Sequence, residues 1–398
     1  MTNATPSHAP APQPPDDPVL VAEQALTQVR AELAERPRGK VLVAMSGGVD
    51  SSATAALLMR AGFDCVGVTM RLYDHAIPGS RTCCSLSDIL DARAVCTSLG
   101  IAHETLDLRE RFARTVIADF VRSYEAGLTP NPCVECNRVL KLGLLDAYAR
   151  ELGCAYLATG HYARTQLDGS GAGALLRGAN PAKDQSYVLY NATPAALARL
   201  LLPLGCLSKD EARAVAQVGG LGTAHKRESQ DICFVPDGDY AGFLAQHGAA
   251  GLEPGAIVDT RGTRLGTHQG LARYTIGQRK GLGVACGRRL YVVGKDRARN
   301  ELVLGNASDL ERARLRADRM NWLVSPPAHG SVEAQAMLRY HGSLVRVRVR
   351  ACGVASDPWG SVVAEAAGEP FAYVAPGQSL VLYQGQRVIA GGVIRADA

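Results

Sequence analysis

The sequence predicts an α/β protein built on a doubly wound parallel sheet, followed by a small central β-rich domain and a C-terminal β-barrel. Three observations predict it. Strand-like and helix-like runs alternate from Lys40 to about Tyr162, a glycine and serine loop sits at the first strand-to-helix junction, and beyond about Asp237 the texture changes to short apolar alternations, glycines and turns with no further helix-rich repeat. At 398 residues the chain has room for two or three domains with substantial cores.

Residues 1–18 are proline-rich and nearly devoid of large apolar side chains, so a disordered tail is expected there, followed by a helix over 19–33 where apolar residues recur at helical spacing. Strand-like runs at 40–44, 65–70, 102–106 and 155–159 are separated by helix-like runs at 52–61, 87–99, 111–125 and 139–152. In such a sheet, ligands bind outside the carboxyl ends of the strands. The 169–173 stretch reads as a hairpin tip. Near the C-terminus, 344–350 alternates apolar residues with arginine, which predicts a strand with one buried face and one basic face.

The loop Ala44-Met45-Ser46-Gly47-Gly48-Val49-Asp50-Ser51 lies at such a carboxyl end. Two glycines let backbone N–H groups approach a ligand, Ser51 and Ser52 add hydroxyls, and the following helix directs the positive end of its dipole into the loop. This is a cradle for phosphate. It lacks the lysine of the G-x-x-x-x-G-K-[ST] loop.

No stretch has the apolar length of a membrane span, and the N-terminus has no basic region followed by a hydrophobic one, so a cytoplasmic protein is expected. Its 11 cysteines then read as thiols, metal ligands or redox groups. The net charge of +5 allows a polyanionic partner without requiring one.

Two segments place cysteines in chemical settings. In Thr129-Pro130-Asn131-Pro132-Cys133-Val134-Glu135-Cys136-Asn137 the prolines hold the chain extended before a helix, with a C-x-x-C pair at its entrance, where a thiol is biased toward thiolate. The same pair could form half of a zinc site with Cys83-Cys84. Cys233 follows two basic residues, Lys226 and Arg227, and a polar segment, and precedes Phe234, a plausible setting for a reactive thiol. Lys183-Asp184-Gln185 forms a polar cluster before a new apolar run.

The loop matches the SGGxDS signature of the PP-loop ATP pyrophosphatases, and the ordered series SGGVDSS, VTMRLYD, TPNPCVECN, ATGHYAR, KDQSYVL, ESQDICFV and YTIGQRKGLG resembles the tRNA-specific 2-thiouridylases from about Lys40 to the C-terminus. The resemblance implies a PP-loop domain of the adenine nucleotide alpha hydrolase type at 39–236, a central tRNA-binding domain at 237–303 and a barrel at 304–398, after a tail and leading helix at 1–38. It implies a tRNA-uridine 2-sulfurtransferase that adenylates the 2-oxygen of the wobble uridine with ATP and Mg2+, then introduces sulfur from a cysteine persulfide.

By motif, Ala44 to Ser51, Met70 and Gly160 would bind ATP. Cys136 and Cys233 would be the catalytic pair, with Cys233 receiving sulfur from a cysteine desulfurase relay. Asn131, Pro132 and Cys133 would line the target base, and Lys183, Asp184, Gln185, Arg339 and Tyr340 would contact tRNA. Arg279 and Lys280 suit phosphate contacts. The protein is expected to act as a monomer away from membranes, without a resident metal. Position 133 can be Asp in the family and is Cys133 here, which opens an alternative in which Cys133, Cys136 and Cys233 hold a [4Fe–4S] cluster. A further alternative is another PP-loop adenylating ligase, and a different class again is a zinc-stabilised tRNA binder without catalysis.

Overall fold

Apolar, largely β-branched runs build the first layer. In the computed structural model, which describes residues 17–73, 86–226, 232–235, 238–284, 287–354 and 356–395, strands β1 (Lys40–Ala44), β2 (Asp64–Arg71), β3 (His103–Asp107), β4 (Tyr156–Ala158) and a two-residue strand at Leu200–Leu201 form a parallel sheet. The order is β3-β2-β1-β4 and then the short strand. The strand sequence reverses direction between β1 and β4, so the crevice where a doubly wound sheet binds its ligand opens there. The helices Val49–Arg60 and Leu86–Leu99 and the helical runs 109–125 and 132–151 connect these strands. Val41, Leu42, Val43 and Leu57 are fully buried, as expected of a sheet covered on both faces.

Both long helical runs contain a π segment, Ala113–Ile117 in the first and Asn137–Leu145 in the second. The helix Pro18–Glu32 is capped by Asp17, whose carboxylate accepts from the Val19 N–H at 2.9 Å, and buries Ala22, Ala25, Leu26 and Val29. The proline-rich residues 1–16 and Cys83-Cys84 lie outside the described residues.

A hairpin, β5 (Ala163–Leu167) and β6 (Gly173–Arg177), has its tip at 168–172 and joins the C-terminal sheet through Arg387 opposite Leu176. That sheet is a closed barrel. Strands Arg314–Trp322, Ser361–Ala366, Val345–Ala351, Ser331–Met337, Ser379–Gln384 and Arg387–Ile394 follow one another around it, and the first pairs with the last. Closure leaves no edge within the ring. On Val345–Ala351 the valines at 347 and 349 are buried and Arg346, Arg348 and Arg350 face solvent. Arg348 reaches Glu333 at 2.7 Å and Arg350 reaches Glu365 at 3.9 Å, so cross-strand carboxylates offset part of the arginine row.

The central domain is a four-stranded sheet around Ile257, Tyr274, Val292, Leu302 and Leu304. The region after 237 contains a helix, Tyr240–Gln246, capped by Asp239, whose Phe243 enters an aromatic cluster with Phe120 and Phe234. The helix is too short for its periodicity to register in the sequence.

Tyr187 and Tyr190 dock the barrel on the first domain. The Tyr187 hydroxyl donates to the Ser379 carbonyl at 2.9 Å, the Tyr190 hydroxyl lies 3.2 Å from the Ser379 Oγ, and the Tyr190 ring occupies the space above Gly391, where a Cβ would come within 2.3 Å of it. Both rings are buried. Tyr190→Ala is expected to cost about 3–5 kcal/mol, the range for deleting a buried aromatic ring, measured as a shift in urea midpoint at unchanged slope. A loss below 1 kcal/mol would show that the docking does not depend on this ring.

Candidate active site

The loop between β1 and the helix Val49–Arg60 is shaped by its own hydroxyls. Ser51 Oγ accepts from the Ser46 N–H at 3.1 Å and donates to the Gly48 carbonyl at 3.1 Å, and Ser52 Oγ donates to the same carbonyl at 2.9 Å. Gly47 has φ of +69°, and a Cβ there would stand 2.2 Å from the Asp88 carbonyl oxygen. Only glycine fits both constraints. Gly48 caps the helix without a side-chain bond, so first-turn N–H groups remain directed at a ligand.

Gly160, just after β4, packs on the same loop from across the crevice. A Cβ on it would lie 3.0–3.1 Å from Asp50 and the Ser51 nitrogen. Asp50 is held from two sides, by the Tyr162 hydroxyl at 2.8 Å and by the Lys209 ammonium at 2.7 Å. Lys226 donates to the Gly47 carbonyl at 3.0 Å and to Asp88 and Asp91 at 2.6 and 2.7 Å. Burial alone would lower the Lys226 pKa, but the two carboxylates outweigh it and hold the ammonium above the usual lysine range. The lysines absent from the loop itself thus arrive from distant segments.

Met70 is the penultimate residue of β2 and is buried among Leu42, Val68 and Phe112. Met45 and Val49 are buried in the core on the other face of the sheet.

The C-x-x-C pair lies in the first turns of the 132–151 helical run. Pro132 occupies the first turn, and Asn131 caps it, its side chain accepting from the Cys133 N–H at 3.1 Å. Asn137 is buried and donates to the Val188 carbonyl at 3.0 Å, fixing the rotation of the run. Cys133 is exposed and Cys136 half-buried. The expected bias toward thiolate is overturned at Cys136. Desolvation pushes its thiol up to about 11, against the opposing pull of Lys141, because the protein atoms around it outweigh the helix terminus.

Lys141 stands five residues after Cys136, and the intervening π segment has the wider turn that brings residues at this spacing onto one side. Its ammonium lies 3.4 Å from His161 Nε2, while Thr159 Oγ1 lies 2.7 Å from His161 Nδ1. Lysine can only donate, so Nε2 accepts and Nδ1–H donates to Thr159. Burial first, and the Lys141 charge second, hold His161 well below its usual pKa and hence neutral. Asp50, Gly160, His161 and Lys141 thus follow one another across the crevice, and the Lys141 charge acts on Cys136.

Cys233 sits in a turn closed by the Val235 N–H on the Ile232 carbonyl at 3.0 Å. Its neighbour Phe234 is buried edge-on against Phe112 and Phe120, with centroids 5.4 and 5.2 Å apart. Cys136 and Cys233 both pack at the edge of the core that contains these rings. Burial raises the thiols of Cys65, Cys96, Cys154 and Cys206 as it does that of Cys136, Cys65 and Cys206 to about 12. Arg227 and the polar segment before Ile232 lie outside the described residues.

The three-thiolate cluster site is not assembled. Among the described residues, which include Cys133, Cys136 and Cys233, no three histidine, cysteine or acidic side chains converge as metal ligands. The zinc alternative needs Cys83-Cys84, which lie outside those residues.

Asp184 departs from its expected contact with tRNA. It is buried, and its oxygens accept from the Arg177 guanidinium at 2.9 Å and from the Gly178 and Ser186 N–H groups at 3.0 Å each. Gln185 bridges to the Tyr162 N–H at 2.9 Å. These two side chains fold the loop that presents Lys183. Arg339 is exposed, and Tyr340 lies half-buried against Tyr187, 6.0 Å between centroids. Sequence reasoning missed Lys141, His161 and Lys209. Ser208 and Glu211 do form a capping box that announces the helix carrying Lys209, but nothing local ties that lysine to Asp50.

Three segments match family descriptions: residues 39–237 the tRNA methyl transferase HUP domain, 241–306 the tRNA methyl transferase PRC-barrel domain, and 312–394 the aminomethyltransferase beta-barrel domain. The chain is 46% identical to a tRNA-specific 2-thiouridylase MnmA of Magnetococcus marinus over 89% of its own length and 98% of that protein's. It is 45% identical to the protein of the same description from Geobacter metallireducens, over 92% and 99% of the two chains.

Because the Cys136 thiol is displaced upward to about 11, its thiolate is on the order of one part in 10,000 at pH 7. Iodoacetamide labelling of Cys136, mapped by mass spectrometry, should therefore be slow at neutral pH and rise about tenfold per pH unit up to pH 10. Lys141→Met should slow it further. Labelling already at its plateau at pH 8 would contradict the buried-thiol assignment.

Proposed function

This chain belongs to the tRNA-specific 2-thiouridylases, and from that premise we propose that it replaces the 2-oxygen of the wobble uridine, position 34 of tRNA, with sulfur, as an ATP-dependent tRNA-uridine 2-sulfurtransferase. One observation supports the reading: the glycine and serine loop packs on Gly160, the next residue, His161, meets Lys141 on the helix that carries Cys136, and Cys136 borders the same core as Cys233 on a separate segment. The descriptions of the matched segments speak of methyl transfer, but a loop built for phosphate beside paired thiols suits oxygen activation and sulfur delivery.

In this proposal Ala44 to Ser51, Met70 and Gly160 bind ATP, accompanied by Mg2+. The uridine O2 attacks the α-phosphorus, pyrophosphate leaves, and the poor leaving group becomes AMP. Cys233 carries a persulfide received from a donor protein, and Asn131, Pro132 and Cys133 line the base. The terminal sulfur attacks C2 and AMP departs; Cys136 then attacks Cys233 Sγ, leaving the transferred sulfur on the base. Alternatively Cys136 attacks Cys233 Sγ first and frees hydrogen sulfide, which attacks C2. Either route ends in a Cys136–Cys233 disulfide that an external thiol must reduce. Lys183, Arg339 and Tyr340 hold tRNA, while Asp184 and Gln185 act through the Lys183 loop. A monomer working in the cytoplasm completes the reading; no described helix is long and apolar enough to cross a membrane.

The test is nucleoside mass spectrometry of tRNA incubated with the metal-depleted protein, ATP, Mg2+, a desulfurase-derived persulfide donor and a reductant. Appearance of 2-thiouridine is expected; its absence, with rescue only after anaerobic cluster reconstitution, would replace the persulfide route by the cluster route. Cys233→Ser should abolish thiolation while keeping tRNA-dependent AMP formation, and Asp50→Ala should remove AMP formation itself. Arg339→Ala should weaken tRNA binding and flatten its salt dependence by about one phosphate contact. Normal thiolation by the Cys233→Ser variant would remove that cysteine from the mechanism.

A further inference from the structure

Where the central domain meets the barrel, Tyr373 has a backbone φ of +57°, a conformation unfavourable for any residue with a side chain. The residue remains 36% exposed, one of the few large hydrophobic residues so exposed among the described residues. It rests on Gly277, itself at φ +88°, where a Cβ would come to 3.0 Å of the Tyr373 ring. Tyr291 contributes a second ring, 6.0 Å away between centroids and tilted by 58°. The guanidinium charges of Arg279, from the central domain, and Arg339, from the barrel, both act on Tyr373. Both arginines are exposed.

The surrounding turn is rigid. Gly277 N–H donates to the Val292 carbonyl at 2.8 Å, Val292 N–H returns a bond to Gln278 at 2.9 Å, and Gln278 Oε1 accepts from the Thr275 N–H at 3.0 Å. Tyr373 is therefore presented on two fixed supports rather than on a loose loop.

An accessible aromatic face under the charge of two exposed guanidiniums, one of them on Arg279 two residues from the supporting Gly277, suits a single nucleotide: the ring accepts a base by stacking and the guanidiniums attract its phosphates. A protein partner would call for a contiguous apolar surface, and here the ring is framed by charge. We propose that Tyr373, supported by Tyr291 and Gly277 and flanked by Arg279 and Arg339, is a stacking site for an unpaired base of the bound tRNA, away from the uridine undergoing chemistry. The site spans two domains, so an occupied nucleotide would tie the central domain to the barrel. The inference rests on tRNA being the substrate.

The experiment compares the full chain with Tyr373→Ala, Tyr373→Phe and Tyr373→Gly, using a tRNA transcript bearing U34, in equilibrium binding and in 2-thiouridine formation. Tyr373→Ala should weaken tRNA binding and raise the KM for tRNA about 5- to 100-fold, the range for losing one base stack. The kcat and the slope of log Kd against log salt should stay unchanged, because no phosphate contact is lost. Tyr373→Phe should bind as the parent does. Tyr373→Gly removes the backbone strain as well as the ring, and should lose binding as Ala does despite an equal or higher Tm.

Parental binding by both Tyr373→Ala and Tyr373→Gly would overturn the site. So would recovery by Tyr373→Gly alone, which would mark the Ala defect as conformational. If the parent protein itself formed no 2-thiouridine and bound no tRNA, the functional reading would fall together with this one. A parent that thiolates beside a Tyr373→Ala that binds equally well would remove only the stacking site.

Discussion

The close approach of Gly160 to Asp50 and Ser51 is the constraint on which the rest of the site depends. It brings the carboxyl ends of β1 and β4 together at the reversal of the sheet, and leaves no volume for a side chain between them. With that gap closed, Tyr162 and Lys209 can both reach Asp50, and His161 points back to Lys141 on the helix that carries Cys136. The loop and the thiol are thereby placed by one backbone contact. A parallel sheet supplies such a crevice by topology alone, and Gly160 lets its two sides approach closely.

The same helix is anchored at its other side by the domains that follow. Just before Asn131, the Thr129 N–H donates to the Pro376 carbonyl at 2.8 Å and its carbonyl accepts from Gln378 at 2.8 Å, both in the barrel. Lys295 of the central domain approaches the Gly127 carbonyl at 3.4 Å, and burial pushes its pKa down to about 8. The segment entering the C-x-x-C turn thus touches all three domains. These hydrogen bonds fix the backbone four and six residues before Cys133, so the outer domains help set where the C-x-x-C turn begins.

The half-buried thiol of Cys136 is held in its protonated form near neutral pH by desolvation. A thiol held up at about 11 does not react indiscriminately, and the neighbouring Lys141 supplies the opposing charge that any further deprotonation would use. Cys233 is placed differently, on a turn whose neighbours Phe234 and Val235 are buried in the core. One cysteine is carried by a helix and the other by a turn beside a buried ring.

By itself the sequence determined the elements and the type of chemistry. Strand periodicity, the glycine loop, the prolines before C-x-x-C and the alternation at 344–350 are local signals, and local sterics and burial decide them whatever the rest of the chain does. The helix Tyr240–Gln246 escaped because seven residues carry too little periodicity. What only the tertiary structure decided was set by desolvation and long-range approach. The Cys136 thiol rises because distant atoms exclude water from it, Asp184 turns inward because Arg177 and two N–H groups saturate it, and Lys209 and Lys226 serve a loop from more than 150 residues away. A sequence names the residue types able to do chemistry, whereas the dielectric around each and the partners it meets exist only once the chain has folded.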